Sequence, residues 1–167
     1  GDIQRAWRWW SLHEATLTPR RENAAFPAAS AAEALREQLA DATRAHLVAD
    51  VPVGAFLSGG VDSAAMVGLM SRVIDGPVRT FTVGFEQQHA DFSETDAARQ
   101  TAEHFGAEHT EVIITDAEAA ASFDAVLQAL DQPSMDGANT FFVARAAAEH
   151  VKVVLTGLAG DELFAGY

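Results

Sequence analysis

The chain carries two glycine-rich motifs, each with carboxylates, whose residue types suit phosphate chemistry. The first motif, residues 57–63, reads Leu-Ser-Gly-Gly-Val-Asp-Ser. Adjacent glycines let the backbone approach an anion closely, and the N–H groups at the start of a helix attract phosphate. Ser58 and Ser63 add hydroxyl donors. No lysine follows the glycines, so this is not the loop that cradles β- and γ-phosphates in kinases and GTPases.

Asp62 is the unusual residue of the first motif, because a carboxylate in the first turn of a phosphate-binding helix repels the ligand. A divalent cation resolves this conflict, and Mg²⁺ prefers few carboxylates together with water and phosphate oxygens. The alternative is that Asp62 only stabilises the helix N-terminus. The second motif, residues 156–167, reads Thr-Gly-Leu-Ala-Gly-Asp-Glu-Leu-Phe-Ala-Gly-Tyr. Its Asp161 either completes the metal site or caps a helix at a solvated turn.

Both motifs follow apolar runs that predict strands, so a sheet must position them. Strands are predicted at residues 53–57, 78–85, 110–114 and 151–155, the last buried on both faces. Helices are predicted at residues 30–49, 64–70, 93–105, 115–130 and 140–150. This alternation predicts an α/β fold, a Rossmann-like three-layer α/β/α arrangement with a mostly parallel sheet of about five strands. Ligands bind beyond the carboxyl ends of such strands, where both motifs fall.

Capping signals support the predicted helix starts. Ser30 with Glu33 and Thr115 with Glu118 have the spacing of capping boxes, in which a hydroxyl and a carboxylate satisfy the first free amides. Ser93 with Asp96 can cap the helix that Gly106 is placed to end.

Composition excludes several classes of function. A formal charge of −13 over 167 residues opposes binding to nucleic acid, because phosphate contacts draw on clustered lysine and arginine. The absence of cysteine excludes disulfides, thiolate zinc sites and a thiol nucleophile. The apolar runs are too short to span a membrane, and we see no secretory signal. We therefore expect a cytoplasmic protein with neither a membrane nor a nucleic acid as partner.

The first 29 residues differ from the rest and predict a linker. Trp7, Trp9 and Trp10 lie close together and either cover a neighbouring domain or pack on the flank of this one. Residues 17–29 carry two prolines and no clear period. We expect residues 1–29 to lead from an N-terminal domain, and residues 30–167 to form the ordered domain.

The two motifs resemble those of a known family. Residues 58–63, Ser-Gly-Gly-Val-Asp-Ser, resemble the pyrophosphatase loop of the N-type ATP pyrophosphatases, the PP-loop superfamily. Residues 160–167, Gly-Asp-Glu-Leu-Phe-Ala-Gly-Tyr, resemble the second motif of the asparagine synthetase group among them. Residues 80–85 and 91–94 are similar to intervening segments of that family. The likeness extends from about Trp7 to Tyr167.

The resemblance implies an ATP-dependent ligase that forms amides. A substrate carboxylate, aspartate being the leading candidate, attacks the α-phosphate of ATP to give an acyl adenylate and Mg²⁺-bound pyrophosphate, and ammonia then displaces AMP. By similarity, Ser58, Gly59, Gly60 and Ser63 hold the pyrophosphate. Asp62 and Asp161 are the catalytic residues and bind Mg²⁺. The adenine and ribose pocket is lined by Phe56 or Leu57, Val83, Thr156 and Gly157.

The resemblance also implies parts beyond these residues. Well-known members have a glutaminase domain with an N-terminal cysteine, which would precede Gly1, and a helical part with a catalytic lysine, which would follow Tyr167. The 167 residues alone are then expected to be a fragment without activity of their own. A homodimer is compatible with these expectations. Leu158 stands where well-known members have a glutamate, and an aliphatic side chain cannot accept a proton from ammonia.

Several alternatives stay open at this stage. The domain could amidate or cyclise a different carboxylic acid, or bind ATP without chemistry. Another ATP pyrophosphatase, an NAD synthetase or a transfer-RNA-modifying enzyme, fits the second motif less well. Asp131, Ser134 and Asp136 lie where the family binds its carboxylate substrate, but a polar surface loop looks the same. Surface or capping roles are favoured over zinc for His46, His89, His104 and His109, and Arg99 and Arg145 are expected to face solvent.

Overall fold

The computed structural model describes residues 5–17, 27–86, 94–132, 134, 137–164 and 166. Within these ranges the helices are α1 (Leu12–Leu17), α2 (Ala28–His46), α3 (Val61–Val73), α4 (Glu94–Phe105), α5 (Asp116–Ala121), α6 (Phe123–Ala129), α7 (Gly137–Ala148) and α8 (Gly160–Phe164). The strands are β1 (Val53–Phe56), β2 (Arg79–Phe85), β3 (Glu108–Ile114) and β4 (Val153–Leu155).

The four strands form one parallel sheet in the order β3-β2-β1-β4. The chain builds outward from β1 through β2 to β3 and then returns to place β4 on the other side of β1. This reversal leaves a crevice between the carboxyl ends of β1 and β4, the position at which open α/β sheets bind ligands. The predicted parallel α/β fold is confirmed, but the described residues contain four strands rather than about five.

Helices cover both faces of the sheet, as expected for three layers. On one face, α3 and α4 pack on β1 and β2 around a buried cluster that includes Ala55, Leu57, Val67 and Met70. On the other face, α7 packs on β2, where Phe81 is buried against residues of the helix and its following turn. Successive side chains of β2 point to opposite faces of the sheet, so this strand contributes to the core on both faces.

Three local predictions are wrong. Helix α2 already begins at Ala28, so Ser30 lies inside the helix and is not its N-cap. The single helix predicted at 115–130 is two helices, because the backbone at Ser122 separates α5 from α6. Strand β4 is only half-buried, because it lies at an edge of the sheet.

The capping box at α5 is confirmed. The Glu118 amide donates to Thr115 Oγ1 at 3.2 Å, and Glu118 Oε2 accepts the Thr115 amide at 2.9 Å. The amide and the hydroxyl of Thr115 both donate to Glu118 Oε2 at 2.9 Å, and these two hydrogen bonds lower the pKa of the Glu118 carboxyl. Gly106 follows α4 with a φ of +63°, in the left-handed region that suits a helix end. Ser93, the predicted cap of α4, lies outside the described residues.

The chain divides into two compact units, Gly1–Leu35 and Arg36–Tyr167. In the first unit, Trp7, Trp9 and Trp10 are 74%, 88% and 57% exposed, and α1 is a helix that the sequence pattern did not predict. The second unit contains the sheet. Among the helices in the described ranges, none combines the length and the apolar character that crossing a membrane requires.

Candidate functional site

A cavity of about 500 Å³ opens at the carboxyl ends of β1, β2 and β4. Nearly all of the residues predicted for the site line it: Phe56, Leu57, Ser58, Gly60, Asp62, Ser63, Val83, Thr156, Gly157 and Asp161. Gly59 is the exception, because its backbone packs on α4, where an added Cβ would lie 3.1 Å from Ala97 Cβ. The fold thus brings two motifs that are about a hundred residues apart to one cavity.

Residues 57–63, here named the β1 turn, are fixed by hydrogen bonds. The buried Leu57 donates its amide to Phe81 O at 2.9 Å, and its carbonyl accepts the Thr82 hydroxyl, so the turn is tied to β2. Ser63 Oγ, also buried, accepts the Ser58 amide at 3.1 Å and lies 2.9 Å from Ser58 Oγ. The same hydroxyl is 3.0 Å from Gly60 O. The side-chain hydrogen bonds of this turn therefore converge on the Ser63 hydroxyl.

The start of α3 has no side-chain cap. Its N-cap residue, Gly60, is extended (φ −82°, ψ 156°) and makes no side-chain capping hydrogen bond. The first amides of a helix lack partners within it, and without a side-chain cap they remain to be satisfied by water or by an anionic ligand. Asp62, in this first turn, is partly buried and lines the cavity.

Residues 156–161, here named the β4 turn, follow β4 on the other side of the crevice. The Leu158 amide donates to Thr156 Oγ1 at 3.2 Å, and the Gly160 amide donates to Gly157 O at 3.2 Å. Ala159 has a φ of +73°, in the left-handed region that L-residues other than glycine seldom adopt. The turn ends in Asp161, which belongs to α8 and lines the cavity.

The two turns touch where glycines of the β4 turn lie against Asp62 and Ser63 of the β1 turn. A Cβ added to Gly160 would lie 2.5 Å from Asp62 Cγ and 2.6 Å from Asp62 Oδ2. A Cβ added to Gly157 would lie 2.8 Å from both Asp62 C and Ser63 N. Only residues without a side chain allow this approach, since real Cβ atoms do not come so close. The β4 turn therefore lies directly against the first turn of α3, with Asp161 next to the point of contact.

The cavity has an acidic part and an apolar part. Among its described lining residues, four are carboxylic acids (Asp62, Glu94, Asp161 and Glu162) and none is lysine or arginine. The apolar part is formed by residues such as Phe56, Val83 and Val143. A phosphate chain in this acidic surrounding requires a cation, and a pair of carboxylates fits Mg²⁺, which takes its other ligands from water and phosphates. The described residues hold no group of three or more His, Cys, Asp or Glu that could bind a metal by itself.

Other residues of the cavity were missed from the sequence. Asn139, Thr140 and Val143 line it from α7, and their spacing places them on one helical face. Phe81, Thr82 and Phe85 line it from β2. The expected pairing of β2 with β1 could have predicted these residues of β2, because it brings the end of β2 next to the β1 turn. The loop residues Asp131 and Ser134 do not line the cavity, and Asp136 lies outside the described residues.

His109 differs from the expectation of a surface histidine. Its Nδ1 lies 2.9 Å from the hydroxyl of the buried Thr80, and its Nε2 is buried without a partner in the described structure. Burial lowers the pKa of His109, against the attraction of Glu111, and the Arg99 guanidinium lowers this pKa further. Arg99 is partly exposed and pairs with Glu111 at 2.8 Å, joining α4 to β3. His89 lies outside the described residues.

Comparison with known proteins agrees with this geometry. The family model for asparagine synthase matches residues 34–167, which include both turns. The chain belongs to the asparagine synthase family. It is 47% identical over 131 residues to a putative glutamine-hydrolysing asparagine synthetase of Mycobacterium bovis, covering 77% of this chain and 20% of that protein.

Two further comparisons extend this result. The chain is 40% identical over 135 residues to asparagine synthetase (glutamine-hydrolysing) 1 of Bacillus subtilis, covering 80% of this chain and 21% of the relative. It therefore spans about a fifth of the length of these family members. Among solved structures, an NH₃-dependent NAD synthetase from Campylobacter jejuni matches with a TM-score of 0.53 at 19% identity, covering 81% of this chain and 60% of that one. This likeness shows a shared fold.

Proposed function

We propose that this chain is the ATP-binding domain of an amide-forming ligase that splits ATP between its α- and β-phosphates. The observation that carries the proposal is the contact between the two turns. The start of α3 and the carboxylates of Asp62 and Asp161 line one cavity, and Gly160 of the β4 turn lies against Asp62. Family membership and the names of the relatives support the same function.

In the proposed reaction, a carboxylate oxygen of the acceptor acid attacks the α-phosphorus of ATP, and pyrophosphate leaves. The nitrogen of ammonia then attacks the acyl carbon, and AMP leaves as the amide forms. Aspartate is the leading acceptor, with asparagine as the product. Each step exchanges one bond for another, so no oxidant or reductant is required.

The residues divide by the part of ATP that they contact in this proposal. The cavity-lining Ser58, Gly60 and Ser63 hold the pyrophosphate portion, and Gly59, which packs on α4 outside the cavity lining, lets the turn take this shape. Adenine and ribose lie among Phe56, Leu57, Val83, Thr156 and Gly157. Asp62 and Asp161 hold Mg²⁺, which when bound neutralises charge on the phosphate oxygens. Oriented amides at the start of α3 stabilise charge that develops on the leaving pyrophosphate, where such groups are most effective.

The nitrogen source and the setting of the domain belong to the same proposal. The relatives are named as glutamine-hydrolysing, which supports ammonia delivered by a glutaminase domain in the parent chain. We assign residues 1–29 to the linker from that domain and residues 30–167 to the ATP pyrophosphatase domain. A cytoplasmic location and a homodimer stay predictions.

Leu158 supports a second candidate for the acceptor. This side chain is 79% exposed while lining the cavity. An aliphatic group cannot accept a proton from the attacking ammonia. A relative that amidates or cyclises a different carboxylic acid would suit this residue better than an aspartate-specific enzyme.

The test is nucleotide turnover by the full-length protein with a panel of carboxylic acids, including aspartate, with ammonia and Mg²⁺. We expect AMP and pyrophosphate in equal amounts, and only with an accepted acid. Formation of ADP and phosphate would place the cleavage between the β- and γ-phosphates and contradict the proposal. A module that only binds ATP should bind nucleotide in calorimetry yet release no pyrophosphate with any acid.

A further inference from the structure

Ala159 holds a backbone conformation that its side chain disfavours, at the joint between the two turns. Within the described ranges, Ala159 is the non-glycine residue that has a positive φ, and its value is +73°. In this region the Cβ of an L-residue crowds the backbone, at a cost that glycine avoids and asparagine tolerates. Such residues persist only where their surroundings fix them, and they cluster at functional sites.

Hydrogen bonds fix the chain before and after Ala159. On one side, the turn is closed by the hydrogen bond from the Gly160 amide to Gly157 O. On the other side, Ala159 O accepts the Leu163 amide at 3.2 Å, which ties Ala159 into α8. Gly160 itself lies against the Asp62 carboxylate. A change of φ at Ala159 would therefore rotate the start of α8 relative to α3.

We propose that Ala159 is a positioning residue. Its left-handed backbone places Gly160 against Asp62 and directs Asp161 to the same cavity edge. The inference rests on the proposed function, in which these two carboxylates hold one Mg²⁺. It assigns no chemistry to the Ala159 methyl group, so what matters at this position is the ability to adopt a positive φ.

The test compares Ala159→Gly, Ala159→Asn and Ala159→Val in the full-length protein. Asparagine and valine both add bulk to the alanine side chain, but only asparagine tolerates the left-handed region. Without ligand, we expect Tm to rise for the glycine variant, to stay close to that of the unchanged protein for asparagine, and to fall for valine. The Mg²⁺ concentration for half-maximal pyrophosphate release should rise about 10-fold or more in the valine variant, as when support for metal ligands is lost. In the asparagine variant this Mg²⁺ concentration should change by less than about 2-fold, because asparagine keeps the backbone conformation that supports the metal ligands.

Val126→Ala is the matched control for stability. Val126 is buried on α6 and does not line the cavity, so its truncation lowers Tm. We expect an unchanged Mg²⁺ requirement in this variant. A purely structural role for Ala159 would make its valine variant behave like this control.

Two results would overturn the positioning role. One is an equal Mg²⁺ requirement in the asparagine and valine variants, and the other is a Tm that does not rise in the glycine variant. Either result leaves pyrophosphate release by the unchanged protein, and hence the proposed function, intact. Absence of that release with every acid would instead overturn the proposed function, and the Tm order would still decide the backbone claim.

Discussion

The two turns at the crevice carry similar residues but are held in different ways. The β1 turn is fixed by its own side chains. Ser63 Oγ accepts a hydrogen bond from the Ser58 amide and lies within hydrogen-bond distance of the Ser58 hydroxyl and of Gly60 O. The β4 turn has fewer such bonds and instead packs its glycines on the first turn of α3. The β1 turn is therefore held by bonds among its own residues and to β2, whereas the β4 turn is held by its contact with the first turn.

This difference shows how one fold can separate two tasks. In the proposed function, the β1 turn presents amides to an anion and keeps its shape without a ligand. The β4 turn would then supply a second carboxylate, whose contribution to Mg²⁺ binding depends on its distance from the first. If the two turns are held in these different ways, some substitutions in them should lower stability and others should lower activity.

The largest effect is expected for Asp62→Asn. The amide keeps the shape of the side chain but removes the charge that would hold Mg²⁺, so Mg²⁺-dependent pyrophosphate release should fall about 100-fold or more. The unfolding midpoint in urea should be nearly unchanged. Asp124→Asn is the control, because Asp124 is also in the first turn of a helix, is exposed and does not line the cavity. Equal turnover in the two variants would remove Asp62 from the site.

The two glycines of the β4 turn should respond differently to alanine. In Gly157→Ala the new Cβ meets the backbone at Asp62 C and Ser63 N, which cannot move cheaply, so unfolding free energy should fall by about 1–3 kcal/mol. In Gly160→Ala the Cβ meets the Asp62 carboxylate, which can rotate away. Stability should then change by less than about 1 kcal/mol while pyrophosphate release falls about 10-fold or more.

Urea unfolding and turnover assays on both glycine variants check this pair. Equal losses of stability would contradict the arrangement in which one glycine lies on backbone and the other on a carboxylate. Adding Asp62→Ala to Gly160→Ala should remove the clash, so the stability cost of Gly160→Ala should be smaller in that background.

Hydroxyl removal should affect the β1 turn more than the β4 turn. Ser63→Ala leaves the Ser58 amide without its acceptor in a partly buried position, and we expect a loss of about 1–3 kcal/mol in unfolding free energy. Thr156→Val removes the acceptor of the exposed Leu158 amide, which water can replace, so the loss should be below about 1 kcal/mol. Comparable losses in urea unfolding would mean that the two turns are held alike.

The smallest effect concerns His109, which contacts Thr80 and does not line the cavity. Because burial lowers the pKa of His109 in the folded chain, its contribution to stability is complete above the unfolded value of 6.5 and is lost as pH falls through the folded pKa. His109→Gln should therefore lose less stability than the unchanged protein between pH 7 and pH 5. Urea unfolding at the two pH values measures this, and an identical loss would exclude His109 as a source of acid sensitivity.

Much of the fold followed from local patterns. The structure has strands at the four apolar runs and helices between them, as predicted. It also has the predicted capping box at Thr115. The errors lie where local patterns are ambiguous. The break at Ser122 has no glycine or proline to mark it, and Ser30 has the spacing of a cap but lies within α2. The half-exposure of β4 depends on strand order, which no local pattern contains.

The sequence by itself determined which residues could meet phosphate: two glycine motifs after strands, each with an aspartate. Adjacent glycines, hydroxyls and helix starts act through neighbouring residues, so their chemistry is readable locally. Tertiary structure alone decided that Gly160 lies against Asp62, that α7 contributes Asn139 and Thr140, and that Gly59 turns to α4. These are contacts between segments distant along the chain, and the contact of Gly160 with Asp62 exists only once the sheet order places β4 beside β1.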